Sequence, residues 1–281
     1  MKHHTTFHPE QGWSLNERDP KFIETIMPYW EWFYRHYFRV KTSGWHHIPS
    51  QGPVLLVGSH NGGLASPDTS MMMYDWFRHF GTERPAYGLM HQSAWAMNPL
   101  LARLAAKSGA VRAHPKMAIA ALKQDAGVLV YPGGAQDVFR PYTQRHKIEL
   151  AGRKGFIKLA LREKVTIIPL ISIGAHETLF ILGDFYEQAK QLHQWGMPWL
   201  YDIDPEVFPI YLGLPWGLGI GPLPNFPLPI QIHTRVCPPI RFDKYGREAA
   251  NDRVYVDACY DLIVTVMQQE LDQLVAETII Q

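Results

Sequence analysis

Apolar side chains recur at helical spacing in three stretches of the chain. The first stretch follows Asp19-Pro20, a pair typical of a helix cap and a first-turn proline, and Pro28 predicts a kink within it. Its apolar face consists of Ile23, Ile26, Trp30, Phe33, Tyr34, Tyr37 and Phe38. We expect this aromatic face to pack in the core; the alternative is a helix in a membrane interface, where Trp and Tyr are favoured. Met97 to Lys107 and Asp252 to Glu277 are typical of ordinary amphipathic helices.

Short runs of continuous apolar residues predict buried strands. They are Val54 to Val57, Val128 to Tyr131 and Val165 to Ile171. Because the apolar residues are continuous rather than alternating, the sheet should be covered on both faces, and helices between the strands indicate an α/β fold. We therefore predict a mixed, largely parallel sheet flanked by helices. Ligands of such sheets usually lie beyond the strand ends.

A long uncharged segment, Val207 to Thr234, contains no Asp, Glu, Lys or Arg. Its six prolines and four glycines exclude a membrane-spanning helix, because they remove backbone donors that lipid cannot replace. We expect an ordered apolar loop that either docks on a membrane or covers an apolar pocket. No repeat or hydrophilic linker divides the chain, so we predict one domain over 1–281. Its parts are an N-terminal helical segment 1–45, core blocks 52–180, the apolar Pro/Gly-rich segment 205–240 and a C-terminal helix 247–279.

Composition and charge exclude several classes of function. Lysine and arginine exceed aspartate and glutamate by one residue, 27 against 26, so no basic surface for nucleic acid is expected. Cys237 and Cys259 are the only cysteines, and their spacing predicts neither a disulfide framework nor a zinc site. This usage favours a reducing compartment and a cytoplasmic location. A serine hydrolase of the Gly-X-Ser-X-Gly type is disfavoured, because that motif does not occur.

The candidate chemistry lies after the first predicted strand, where Gly58-Ser59 leads into His60-Asn61-Gly62-Gly63. A histidine there, beside a carboxylate, could act as a general base for an alcohol. Asp68 is the nearest carboxylate. It also fits the first turn of a helix over Thr69 to Phe80, with Ser66 as the N-cap and Pro67 after it. Both interpretations of Asp68, orientation of His60 and helix capping, stay open.

Four blocks in order resemble the glycerolipid acyltransferase superfamily, in particular type-two diacylglycerol acyltransferases and phytyl ester synthases. They are His60-Asn61-Gly62-Gly63, Tyr131-Pro132-Gly133-Gly134, Arg153 to Leu161 and Val165 to Pro169. The resemblance implies transfer of a fatty acyl group from acyl-coenzyme A or acyl carrier protein to a lipid hydroxyl, without a covalent enzyme intermediate. It implies His60 as the base, no bound cofactor, and a peripheral membrane location, since acceptor and product are lipids.

The chain departs from the superfamily at two places. The usual His-X4-Asp spacing would put the orienting acid at Ala65, so Asp68 is expected to take that role. The phosphate-binding arginine of the superfamily is absent from Gly133-Gly134-Ala135-Gln136, which favours a neutral acceptor such as diacylglycerol or an isoprenoid alcohol. A lysophospholipid or 1-acylglycerol-3-phosphate acyltransferase is the alternative activity. A non-catalytic lipid-binding relative is the alternative class.

The resemblance also implies substrate contacts by position. Asn61, Gly62, Gly63, Gly133, Gly134 and Asp137 are expected to line the acceptor site. Arg153 and Lys154 lie where a helix begins, an unfavourable place for cations that suggests binding of the donor's phosphates. Simple solvation of these two charges is the alternative. Arg112 is a second expected anion contact.

Overall fold

The computed structural model describes residues 10–199 and 204–279. Residues 1–9 of the predicted N-terminal segment lie outside the described residues. The strands are β1 (Lys41–Ser43), β2 (Val54–Gly58), β3 (Ala86–Met90), β4 (Ala110–Arg112), β5 (Gly127–Val130), β6 (Ile167–Ile173), β7 (Phe180–Asp184), β8 (Pro209–Gly213), β9 (Gly217–Ile220) and β10 (His233–Val236).

Seven of these strands form one sheet, in the order β1-β10-β6-β2-β5-β3-β4. The pair β10 and β6 is antiparallel, and the other neighbours are parallel. The predicted mixed, largely parallel α/β sheet is therefore confirmed. The three strands predicted from the apolar runs, β2, β5 and β6, are neighbours at its centre.

Helices cover both faces of this sheet. They are α1 (Pro20–Trp32), α2 (Pro67–Phe80), α3 (Gln92–Met97), α4 (Pro99–Lys107), α5 (Pro115–Leu122), α6 (Gly134–Val138), α7 (Gly155–Glu163), α8 (Tyr186–Gln194), α9 (Arg247–Asn251) and α10 (Arg253–Ile279). Alternate residues of a strand face opposite sides. On β2, Leu55 and Val57 pack with residues of α7 and α10, whereas Val54 and Leu56 pack with residues of α1 and α2. Burial on both sides explains why these strands are continuously apolar.

The aromatic face of the first helix packs in the core, as expected. α1 continues into a π-helical turn, Phe33–Tyr37, and Ile23, Tyr34 and Phe38 are buried. Two aromatic side chains on the other side, Tyr29 and Trp32, are exposed.

Two helix boundaries differ from the predicted ones. The stretch predicted as one helix from Met97 is divided, because Asn98 caps α4 by accepting hydrogen bonds from the amides of Leu100 and Leu101, at 3.0 and 3.1 Å. The C-terminal helix predicted over 247–279 is divided into α9 and α10, and α10 ends at Ile279 as predicted.

We expected the uncharged segment Val207 to Thr234 to be a loop, but part of it forms strands. β8 and β9 lie within it and join β7 in a three-stranded antiparallel sheet, here called the small sheet. Proline at the first position of a strand is tolerated, which fits Pro209, and Gly217 has the positive φ of +71° that a tight turn requires. Within the described residues, no helix is both long and apolar enough to cross a membrane.

Candidate active site

Two loops meet where the neighbouring parallel strands β2 and β5 end. Val57 pairs with Val130, so the residues that follow them lie at the same edge of the sheet. The ring of His60, after β2, stacks on the ring of Tyr131, after β5, with centroids 4.4 Å apart and an angle of 18° between the planes. Gly58 makes this possible, since a Cβ at that position would lie 2.3 Å from Cε1 of Tyr131.

His60 and Asp68 are in direct contact. Nδ1 of His60 lies 3.1 Å from Oδ2 of Asp68, which also accepts a hydrogen bond from the amide of Asn61 at 2.7 Å. The other carboxylate oxygen accepts the amide of Thr69, in the first turn of α2, at 2.7 Å. Asp68 thus contacts both the imidazole and the start of the helix, and its side chain is only 4% exposed.

Ser66 occupies the N-cap position of α2, as predicted, but its side chain does not cap the helix. Its backbone lies in the left-handed region, with φ 45° and ψ 55°, and its hydroxyl makes no cap hydrogen bond. Instead, Oγ donates to the carbonyl of Gly63 at 3.1 Å and lies 3.4 Å from Nε2 of His60.

The electrostatic surroundings favour a protonated imidazole more than water does. Burial alone lowers the pKa of His60, but the charge of Asp68 and its hydrogen bond to Nδ1 outweigh that effect, so the pKa lies above its usual 6.5. Because the Asp68 carboxylate accepts the Nδ1 proton, the neutral ring carries its lone pair on Nε2. The His60 side chain is 18% exposed.

A buried ion pair between Asp137 and Arg140 holds the His60 loop in place. Asp137 is fully buried, and its carboxylate accepts hydrogen bonds from the amide of His60, from the hydroxyl of Ser59 at 3.1 Å and from Arg140 at 2.7 Å. Burial raises the pKa of Asp137 to about 7, although Arg140 and the His60 amide oppose this shift. We expected Asp137 to line the acceptor site; instead it positions the loop, because none of its side chain is accessible.

Arg140 is a part of the site that the sequence did not reveal. Its guanidinium is buried and donates to the carbonyl of His60 at 2.9 Å, to that of Arg145 at 3.0 Å and to Oδ1 of Asn61 at 2.5 Å. His176 contacts the backbone of Arg140, with Nε2 2.9 Å from the Arg140 carbonyl oxygen. Burial and the Arg140 charge lower the pKa of His176 to about 3, so this imidazole is neutral.

The glycines of the His60 loop are closely packed against Asn225, from the Pro/Gly-rich segment. Oδ1 of Asn225 accepts the amide of Ala65, and its Nδ2 donates to the carbonyl of Gly62, both at 3.1 Å. A Cβ on Gly63 would lie 2.6 Å from Asn225 Oδ1, and Gly62 and Gly63 both have positive φ. Asn61 is also buried, at 1% exposure. These three residues therefore shape the loop, and Asn225 is a second site residue that the sequence did not reveal.

The second glycine pair is packed equally closely. A Cβ on Gly133 would meet the backbone oxygen of Glu149, and one on Gly134 would lie 2.4 Å from Nη1 of Arg153. Arg153 donates to the carbonyl of Pro132 at 3.2 Å and pairs with Glu206 at 2.6 Å. It therefore lies at the loop that follows β5.

The other two expected anion contacts lie elsewhere. Lys154 pairs with Asp257 of α10 at 2.7 Å. Arg112 is buried at the end of the edge strand β4, where it donates to the carbonyl of Gln11 at 2.8 Å and lies near the ring of Trp95. Three strand spacings separate β4 from β2, about 14 Å. The structure does not bring Arg112 and His60 together.

The space behind the His60 loop is small. A cavity lined by Ser59, Asp68, Met72, Tyr131, Leu170, Ile171, Ser172 and Thr234 holds about one water molecule. Among the residues that the structure describes, no group of His, Cys, Asp and Glu side chains is arranged to hold a metal ion.

Comparison with known proteins agrees with this architecture. A solved structure, the 1-acyl-sn-glycerophosphate (LPA) acyltransferase PlsC from Thermotoga maritima, matches with a TM-score of 0.51 and 14% identity, over 91% of this chain and 79% of that one. It shows a shared fold. An uncharacterized protein of Mycobacterium tuberculosis is 28% identical over 264 residues, 92% of this chain and 68% of the relative. An uncharacterized protein of Mycobacterium leprae is 27% identical over 259 residues, 92% of this chain and 66% of the relative.

The family model described as diacylglycerol acyltransferase matches residues 28–263, which include the His60 loop, the buried ion pair and the small sheet. The resemblance seen in the sequence is thereby confirmed. The chain belongs to the diacylglycerol acyltransferase family and is an acyltransferase that acts on lipid substrates.

Proposed function

We propose that the protein transfers a fatty acyl group from a thioester, acyl-coenzyme A or acyl carrier protein, to the hydroxyl of a neutral lipid alcohol, with His60 as the general base. The observation that carries this proposal is the pairing of His60 Nδ1 with the buried carboxylate of Asp68 at 3.1 Å. That pairing leaves Nε2 as the proton acceptor.

The chemistry follows from this arrangement. The acceptor hydroxyl donates to Nε2 and attacks the thioester carbonyl carbon, and His60 takes its proton as the new C–O bond forms. The imidazolium, stabilised by Asp68, then protonates the departing thiol. The partial positive charge at the N-terminus of α2, which begins at Pro67, favours the oxyanion that forms in between.

The cations near the His60 loop already have partners, which favours an acceptor without a phosphate. Arg140 is buried and engaged with Asp137 and with backbone carbonyls. A phosphate on the acceptor would have to displace those partners. Arg153 and Lys154 form ion pairs that are partly exposed and therefore weakened by solvent, so both cations can exchange their partners for the donor's phosphates.

The assay combines purified protein with acyl-coenzyme A or acyl carrier protein and a panel of diacylglycerol, phytol and lysophosphatidate, with products identified by mass spectrometry. We expect esters of the neutral alcohols, and no turnover by His60→Ala at unchanged melting temperature. His36→Ala, an exposed histidine, is the matched control. Esterification of lysophosphatidate alone would favour the alternative acceptor, and full activity of His60→Ala would refute the mechanism. Lipid binding without any ester would favour the non-catalytic relative.

We also propose that the small sheet docks on the surface of a lipid bilayer. Its outer face is formed by Phe180, Leu182, Leu212, Leu218 and Ile220, all exposed, and Trp216 at the hairpin tip is 54% exposed. Cross-strand pairing makes these side chains neighbours, since Leu212 pairs with both Phe180 and Leu218. Asn225, five residues after the end of β9, contacts the loop that carries His60. A bilayer is the occupant that suits a reaction whose acceptor and product are lipids.

Flotation with phosphatidylcholine vesicles tests this docking. Because Val207 to Thr234 contains no charged residue, binding should depend little on salt. Each half-buried leucine contributes about 1 kcal/mol, so the pair Leu212→Ser and Leu218→Ser should weaken partitioning about 30-fold. Val254→Ser, which replaces an even more exposed apolar residue on α10, is the control. Equal flotation of the double variant and the control would contradict the assignment of this face.

A further inference from the structure

The guanidinium of Arg153 lies against the loop that follows β5, beside the His60 site. Its Nη1 donates to the carbonyl of Pro132 at 3.2 Å, and a Cβ on Gly134 would lie 2.4 Å from the same nitrogen. Pro132 directly follows Tyr131, whose ring stacks on that of His60. One terminal nitrogen of Arg153 is therefore fixed to this loop, and the other, Nη2, has a different partner.

That partner is Glu206, in the segment between α8 and β8. Nη2 of Arg153 lies 2.6 Å from Oε2 of Glu206, and the two side chains are 39% and 42% exposed. An ion pair at this exposure contributes little to stability, because water competes for both groups. The carboxylate can therefore leave Arg153 at little cost.

The backbone of Glu206 is held in an unfavourable conformation. Its φ of 59° lies in the left-handed region, which non-glycine residues rarely adopt. Asp204 holds this turn, since its Oδ1 accepts the amide of Glu206 at 2.9 Å, and the next residue, Val207, is buried. A weak surface ion pair does not explain such a turn. Strained residues of this kind are typical of functional sites, where the fold keeps a group at a fixed place.

The place that the Glu206 carboxylate occupies suits a phosphate. Carboxylates and phosphates bind the guanidinium group in the same way, through oxygens that accept its N–H groups. Arg153 also directly precedes Lys154, the N-cap of α7, where no side chain caps the helix. The partial positive charge of that helix end favours an anion beside it.

We propose that Glu206 is a specificity-determining residue whose carboxylate occupies, on Arg153, the position of a phosphate of the acyl donor. The carboxylate leaves when a thioester with a phosphate binds. This inference rests on the proposed acyl transfer and deepens it, since it assigns the donor to thioesters of phosphopantetheine, either free or within coenzyme A. A thioester without a phosphate leaves Glu206 in place and gains nothing from Arg153.

Three donors with the same acyl chain test the proposal: acyl-pantetheine, which has no phosphate, acyl-phosphopantetheine and acyl-coenzyme A. Glu206→Gln keeps the shape of the side chain and removes its charge. We expect this variant to lower KM about two- to fivefold for the two donors with phosphate, the range that an exposed ion pair can supply. KM for acyl-pantetheine and kcat for all three donors should not change. High salt should abolish the gain, because it screens exposed charges.

Two further variants serve as controls. Glu31→Gln removes the partner of Arg35 on α1, in an ion pair of the same length, 2.6 Å, and similar exposure, and should leave all three KM values unchanged. Arg153→Met should raise KM for the phosphate-bearing donors towards that of acyl-pantetheine. Adding Glu206→Gln to Arg153→Met should then have no further effect, because the two residues act through one contact. Melting temperatures show whether each variant is folded.

Three results would overturn the role of Glu206. They are equal KM values for acyl-pantetheine and acyl-coenzyme A in the wild type, an equal effect of Glu206→Gln on all three donors, and a lower KM for lysophosphatidate alone. The last result would assign Arg153 to a phosphate of the acceptor.

Calorimetric titration with free coenzyme A separates this inference from the proposed transfer, since it needs no turnover. Tighter binding by Glu206→Gln than by the wild type, in a protein that forms no ester, would refute the transfer and retain the phosphate site. Equal binding by both proteins would refute the phosphate site, whether or not esters form.

Discussion

Replacing Asp68 by Asn separates orientation of His60 from helix capping. Asparagine caps helices about as well as aspartate, and its oxygen can still accept the Thr69 amide. It cannot supply a negative charge to Nδ1 of His60. A role in capping alone predicts a small kinetic loss, whereas a role in catalysis predicts a large one.

The size of the kinetic loss follows from the geometry. The imidazolium forms 3.1 Å from Oδ2 of Asp68, and both side chains are largely buried. With an effective dielectric constant of about 20, unit charges at that separation attract by about 5 kcal/mol. Since about 1.4 kcal/mol corresponds to a factor of ten in rate, we expect kcat to fall by about 10³ to 10⁴ in Asp68→Asn.

The pH profile gives an independent readout. His60 must be neutral to act as a base, so kcat/KM of the wild type should rise with pH through a pKa above 6.5. Removal of the Asp68 charge lowers that pKa, so the rising limb should move to lower pH while the plateau falls. Initial rates of ester formation from pH 5 to 9 measure both effects.

The control for this experiment is Asp75→Asn, which removes a second buried carboxylate from the same helix. Asp75 accepts Trp45 Nε1 at 3.0 Å and pairs with Arg78, away from His60. It should lower the melting temperature without changing kcat or the pH profile. If Asp68→Asn retained kcat within threefold of the wild type and the same pH limb, the orienting role would be refuted.

Two further predictions concern the frame of the site. Arg140→Met leaves the buried Asp137 without its cation, so it should destabilise the fold by about 3–5 kcal/mol. Adding Asp137→Asn should recover part of that loss in thermal unfolding. An unchanged melting temperature of Arg140→Met would contradict this account. Asn225→Ala removes both hydrogen bonds to the His60 loop, at a cost of about 1–3 kcal/mol, and should lower kcat more than KM in the ester assay. Asn225→Asp, which keeps the acceptor for Ala65 but loses the donor to Gly62, should be intermediate, and wild-type kcat in both variants would exclude this positioning role.

The centre of the fold was predictable because its signals are local. The apolar runs of β2, β5 and β6 predicted their burial and placed the His60 loop at a strand end, whereas Tyr131, predicted as the last residue of a strand, lies just beyond β5 and stacks on His60. Asp68 lies eight residues beyond His60, a spacing that differs from the usual one. The left-handed turns at Gly62 and Gly63 bring it back to the ring, and the glycines are a visible sign of such turns.

The parts that sequence reasoning missed depend on distant partners. Arg140 looks like any other basic residue until the carbonyls of His60 and Arg145 surround it, and no local pattern encodes that arrangement. Asn225 reaches a loop more than 160 residues away along the chain. The small sheet was not predicted because both faces of β8 are apolar, so the alternation of apolar and polar residues that is typical of an exposed strand is absent.

The contact of Gly58 with Tyr131 carries a consequence for how this site can change in evolution. Any side chain at position 58 would displace the ring on which His60 rests, since even a methyl group would come within 2.3 Å of it. Glycine at 58 and an aromatic ring at 131 should therefore be inherited together. In relatives with a small residue at position 131, position 58 no longer needs to be glycine. Relatives in which both positions have changed would therefore support the histidine with something other than a stacked ring.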